Sequence, residues 1–234
     1  MKKKLRRLIA SSRGSMRSWI LGTNDGLVSI LALIAGVTGG TYDTAIIVLA
    51  GIAGAIAGAI SMAFGNYISI KSEIEFYHSE IEREKREIKK KPEEEIAEVR
   101  EIYRKKGFKG KQLEAIVKHL TANQKRWLDV MMKEELGLHH EKFESPVKLA
   151  IITGVAFIIA SIIPIVPYFF LSAKLALVAS MISTGIVLFA AGAAKTLFTR
   201  KSWAISGIEM LVIGMLATAA TFTIGSLFPV ILAY

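Results

Sequence analysis

The sequence predicts an all-α membrane protein: five transmembrane helices, with a charged helical domain between the second and third. Three observations lead there. The 234 residues are 52% hydrophobic yet 21% charged, a mixture that suits one soluble globule poorly. Charge and oil are segregated along the chain: Lys71 to Lys148 holds 17 of the 20 acidic residues, 19 of the 30 basic ones and all four His. Outside that block, five apolar runs reach the ~20 residues that a helix needs to cross a bilayer, more than a soluble chain this short can bury. Zero Cys excludes a disulfide scaffold and thiolate zinc or iron–sulfur sites. Acids and bases nearly balance within the polar block, so the +10 net charge points to no nucleic-acid partner. Its excess flanks the apolar runs instead.

The chain starts with seven cations before or at the edge of the first run: Lys2, Lys3, Lys4, Arg6, Arg7, Arg13 and Arg17. The run itself, Ser18 to Tyr42, carries one acid, Asp25. With no convincing small-residue cleavage site and a full-length span, it reads as an uncleaved first helix. The turn Gly39 to Asp43 has no Lys or Arg, and the second run is Thr44 to Ile70. The third is Leu149 to Ala173, the fourth Leu175 to Ala194, with only Lys174 between them. The fifth, Ser202 to Tyr234, carries Glu209 and follows Lys195, Arg200 and Lys201. Cations cluster on alternate connections, which places the amino terminus and the polar block in the cytoplasm and the carboxyl terminus outside. The division expected is 1–70, 71–146 and 147–234, in a prokaryotic plasma membrane with a vacuole-like membrane as the alternative. Small residues such as Gly36 with Gly40 and Gly54 with Gly58 let helices approach closely, within one chain or across a dimer seam.

After Gly65 nothing breaks helix until Pro92, so the second span continues into the polar block as one long helix. Glu73, Glu80, Glu84 and Glu87 recur on one of its faces. Pro92 followed by Glu93, Glu94 and Glu95 starts a second helix, running to about Lys106. A third runs from about Lys111 to Leu136, stopped by Gly137. The block is thus a three-helix domain. Such glutamate-rich helices are ordinarily solvated faces with Glu–Lys pairs. A second reading is metal binding. Glu84 and Glu87 on one helix, and Glu95 and Glu98 on the next, are spaced to converge as carboxylates do in di-iron bundles. Met131 and Glu135 share a face of the third helix. Carboxylates suit hard cations and a thioether a softer one, which favours Fe²⁺, with Mn²⁺, Co²⁺ and Zn²⁺ as competitors.

Ionisable groups within spans are costly and mark function. Asp25 lies ~10 Å below the cytoplasmic edge, Met62 ~12 Å and Glu209 ~10 Å, at 1.5 Å per residue. These three candidate ligands share one depth, and Asn66, a turn nearer the cytoplasm than Met62, is placed to line a mouth.

Gly22-Thr-Asn-Asp25-Gly-Leu-Val-Ser29, Ser61-Met62-Ala63-Phe64-Gly65 and Met131-Met132-Lys-Glu-Glu135-Leu-Gly-Leu138 resemble the signatures of the vacuolar iron transporter family, in the same five-span order. The resemblance implies a cytoplasmic metal-binding domain with Glu84, Glu87, Glu95, Glu98, Met131 and Glu135 as ligands. It further implies Asp25 and Met62 in the membrane pathway, and a homodimer moving Fe²⁺ out of the cytoplasm in exchange for protons through a pore between subunits. Gly65-Asn66 departs from the family's Gly-Glu, which makes a compensating role for Glu209 worth considering. Two other readings stand beside this one. A membrane-anchored metal sensor or store has no need of Asp25. A di-iron oxidase expects Glu-x-x-His, and the one such spacing, Glu75 to His78, lies outside the converging set; the chain is therefore not expected to be an enzyme.

Overall fold

The computed structural model describes residues 13–138, 143–199 and 202–232. Among these residues every regular element is helical. The order is α1 (Arg13–Gly40), α2 (Thr44–Lys90), α3 (Pro92–Lys105), α4 (Gly110–Thr121) and α5 (Gln124–Val130), which widens into a π-helical turn, Met131–Glu135. Then come α6 (Pro146–Ile165), a 3₁₀ turn (Val166–Phe169), α7 (Ala173–Thr199) and α8 (Trp203–Leu232). Five helices are long and apolar enough to span a bilayer, those from Gly14, Thr44, Pro146, Ala173 and Trp203. The chain forms two compact units, one of residues 1–68 with 144–234 and one of residues 69–143. The 47-residue α2 contributes to both.

In the first unit α1 is the central element, packing on α6, α7 and α8. Leu27, Leu31 and Ile34 are fully buried along it. Inside a bilayer such contacts gain little from water exclusion, so close backbone approach and dispersion hold the helices. Small residues permit that approach. A Cβ at Gly26 would stand 2.5 Å from the Phe157 carbonyl oxygen of α6, and one at Gly39 would stand 2.5 Å from the Phe222 carbonyl of α8. Gly54 and Gly58 receive the Leu33 and Phe157 side chains, so these pairs pack within the chain. Gly51, Ala55 and Ala59 form the buried side of α2, whereas Ala53, Ile56, Ala57 and Ile60 are exposed. Pro164 lies inside α6, one residue before its carboxyl-terminal end. The Ser180 hydroxyl donates to its carbonyl (2.6 Å).

The second unit has its own core: Ile88, Val99, Leu113, Val117, Trp127, Val130 and Met131. Pro92 in the first turn of α3 and three glutamates behind it start that helix as expected. The expected third helix is instead two. Its apolar periodicity carries through Thr121 to Gln124, but the Asn123 side chain accepts from the Lys125 and Arg126 backbone N–H groups (3.0 and 3.2 Å) and starts α5 afresh.

Candidate metal centre

Helix α2 turns back into α3 across Lys91, and this brings glutamates from two helices together. Carboxylate oxygens of Glu84, Glu95 and Glu135 lie within 4.8 Å of one another. Glu84 and Glu95 are buried, at 1% and 6% exposure, while Glu135 is exposed. One oxygen of Glu84 and one of Glu95 are buried without a hydrogen-bond partner. A buried oxygen without a partner costs free energy, and a cation between the three carboxylates would relieve it.

The electrostatics follow from this crowding. Burial first, then the charges of Glu98 and Glu84, push the Glu95 carboxyl up to about 7. Burial, then Glu84 and Glu98, push Glu135 likewise to about 7. Burial raises Glu84 also, against the opposing hydrogen bond from Arg83. Glu87 and Glu98 repel these three and so stand in the same neighbourhood. Carboxylates that protonate near neutrality bind metal and proton competitively.

Met131 is fully buried in the core shared with Ile88 and Val99, on the first residue of the π-helical turn that ends at Glu135. The Leu136 N–H reaches back five residues to the Met131 carbonyl (3.2 Å). Such widened turns are rare and recur at functional sites. Sequence reading passed over Arg83. Its guanidinium sits 3.0 Å from Glu80, 3.4 Å from Glu84 and 3.6 Å from Glu87, an internal counter-cation that the i+3 and i+4 spacings make available.

The intramembrane candidates lie on three helices, α1, α2 and α8. Asp25 is partly exposed on α1 and accepts a hydrogen bond from Ser29 Oγ one turn along (3.1 Å). Met62 packs, half-buried, against the core around Ile34 and Phe157. The Asn66 amide donates to Ser18 Oγ (3.0 Å), Thr153 Oγ1 (2.7 Å) and the Leu149 carbonyl (3.3 Å), tying α2 to α1 and α6. Glu209 is exposed on α8. Among the described residues, the one group of three or more acidic or histidine side chains placed to hold an ion is Glu84, Glu95 and Glu135.

The chain is 39% identical over 209 residues to a vacuolar iron transporter of Centaurea cyanus, covering 89% of this chain and 85% of that protein. It is 38% identical over 208 residues to vacuolar iron transporter 1 of Arabidopsis thaliana, covering 88% and 83%. It is 32% identical over 223 residues to a vacuolar iron transporter of Plasmodium berghei, covering 91% and 81%. These relatives are transporters, not enzymes. Their names also correct the expected prokaryotic plasma membrane, since they point to a eukaryotic vacuolar membrane. Lys and Arg bias reports which side a loop occupies, and it carries no information on which membrane. The VIT family matches residues 16–226, and the chain belongs to that family.

Proposed function

We propose that this protein transports Fe²⁺ out of the cytosol across a vacuolar membrane in exchange for protons, with Mn²⁺ as a second cargo. The glutamate unit, cytosolic by the Lys and Arg bias, captures the ion through Glu84, Glu87, Glu95, Glu98 and Glu135, with Met131 as a softer donor. The observation that carries this reading is the pair of buried, unpartnered oxygens on Glu84 and Glu95 beside Glu135. Their elevated protonation range makes release and reloading responsive to proton concentration.

The membrane step belongs to Asp25 and Met62, with Glu209 at the same depth and Asn66 nearer the cytosolic mouth. In one protomer Asp25 and Ser29 reach the surface of the apolar unit, where lipid would leave the carboxylate unsolvated. A second copy would shield this face, which favours a homodimer whose pathway runs between protomers. Exposed Ala53 and Ala57 on α2 supply small contact residues for such a seam.

The test is Fe²⁺ uptake into proteoliposomes holding a pH gradient, comparing the native chain with Asp25→Ala. Flux that needs both the gradient and Asp25 is expected. Metal binding with no gradient-dependent flux would overturn transport in favour of a membrane-anchored sensor or store.

A further inference from the structure

Arg83 stands where the carboxylate cluster meets solvent, half-exposed at 43% beside the buried Glu84 at 1%. Consecutive side chains on a helix diverge by roughly 100°, so the long arginine stem folds back along α2 to reach its neighbours. Its Nη2 lies between two carboxylates, 3.0 Å from Glu80 Oε2 and 3.4 Å from Glu84 Oε1. Its Nε is 3.6 Å from Glu87 Oε2, beyond hydrogen-bond range, and is buried without a partner.

These contacts make the two oxygens of Glu84 unequal. Oε1 accepts from the guanidinium, whereas Oε2 is the buried oxygen that has no partner. The last torsion of a glutamate is soft, so a carboxylate held at neither oxygen samples several orientations. With Oε1 held, that rotation stops and Oε2 is left for an ion. The reach of Arg83 extends beyond Glu84. Burial raises the protonation range of Glu84 and of Glu135, and the arginine opposes it at both. Glu80 is the outer anchor: it is 16% exposed, pairs with Arg83, and stands outside the proposed ligand set.

We propose that Arg83 is a positioning residue of the metal centre: anchored by Glu80, it holds one oxygen of Glu84 and presents the other to the incoming ion. This rests on the carboxylate cluster being the Fe²⁺ site proposed above. Glu84 is then set before the ion arrives, and Glu87, out of hydrogen-bond range, is left to turn toward it. Arginine suits the task because it keeps its charge at every working pH and its planar fork contacts several carboxylates at once.

Removing Arg83 has two opposing consequences, and their sizes decide the sign. Loss of a positive charge favours a cation, but at a half-exposed position screening keeps that gain small. Loss of a group that orients a metal ligand costs about 10- to 100-fold in affinity. Orientation therefore wins.

Anaerobic Fe²⁺ calorimetry on the full chain at pH 8 is the test. Arg83→Gln should weaken binding about tenfold. Glu80→Gln, which removes the anchor and no ligand, should weaken it less and in the same direction. Arg83→Lys should recover part of the loss, since it returns the charge without the fork. Co²⁺ in place of iron adds a readout of the ligands themselves. At saturation its visible d–d band in Arg83→Gln should differ from the native band, because Glu84 no longer keeps its place. Tighter or unchanged Fe²⁺ binding in Arg83→Gln overturns the proposal, the former marking a counter-cation that merely competes with the ion. Weaker binding with a native Co²⁺ band overturns it as well, since that is general loosening of the unit. Glu95→Gln run alongside separates the two levels. If it binds Fe²⁺ as the native chain does, the cluster itself is not the site. If it loses binding while Arg83→Gln keeps it, only the role of Arg83 falls.

Discussion

Glu95 shows what one buried carboxylate does to the chemistry of the whole cluster. Burial and the neighbouring Glu98 and Glu84 place its protonation near pH 7, where Glu135 also titrates. The two belong to one coupled set, so the steps are properties of the pair. A divalent ion must displace their protons. Lowering the pH from 8 to 6 should weaken Fe²⁺ binding about tenfold for each proton displaced, about a hundredfold for both, as read by anaerobic calorimetry on the full chain. Stability of the metal-free unit runs the opposite way. The folded value lies above the ordinary 4.5 of the unfolded chain, so the stability tied to these groups is full below about pH 4.5 and lost as pH rises through about 7. Hydrogen-exchange protection over residues 69–143, taken relative to the intrinsic amide rate at each pH, should therefore be greater at pH 5 than at pH 8 without metal, and the order should reverse when Fe²⁺ is present. Glu95→Gln should flatten the metal-free dependence and weaken binding at pH 8. A variant that bound Fe²⁺ as the native chain does would remove Glu95 from the site.

At the scale of elements, the sequence read well wherever punctuation was strong. Pro92, Gly107 and Gly137 each mark a helix boundary that the structure keeps, and the five apolar runs all became helices. The break at Asn123 escaped because the spacing of Leu113, Val117, Leu120, Trp127 and Leu128 continues across it. Periodicity reports a buried face and is blind to a change of axis. Asn123 is a good cap that also occurs within loops and helices, so its identity alone decides nothing until its side chain is seen on the next turn's N–H groups. The same limit explains the site. Glu84, Glu95 and Glu135 were legible from i+3 and i+4 spacing within helices. The role of Asn66 as a three-way tie was not, because its acceptors lie 48 to 87 residues away. Asn123→Ala should cost about 1 kcal/mol, the usual loss for an N-cap of this type. α5 carries Trp127 and Val130 into the core and leads into the π-helical turn, so the loss should be visible as earlier melting of the metal-bound chain. Asn123→Asp, which keeps an acceptor, should restore it.

On the scale of the whole molecule, the proposed capture and translocation rest on different residues, and kinetics can separate them. The carboxylate cluster lies in the 69–143 unit, whereas Asp25 and Met62 lie among the apolar helices of the other. If the cluster concentrates Fe²⁺ for the pathway, its loss removes binding that the limiting step does not share, and such losses raise KM and leave kcat nearly intact. Glu95→Gln with Glu135→Gln should thus need a higher Fe²⁺ concentration for half-maximal flux in proteoliposomes, roughly in proportion to the lost affinity, and approach the native rate at saturation. Asp25→Asn removes the charge proposed to meet the ion inside the bilayer, so it should cut the saturated rate at least tenfold and leave binding to the glutamate unit unchanged. The opposite assignment has a distinct signature. Were the cluster an obligatory step on the pathway, the double glutamate variant would lose kcat as severely as Asp25→Asn, and no Fe²⁺ concentration would recover it.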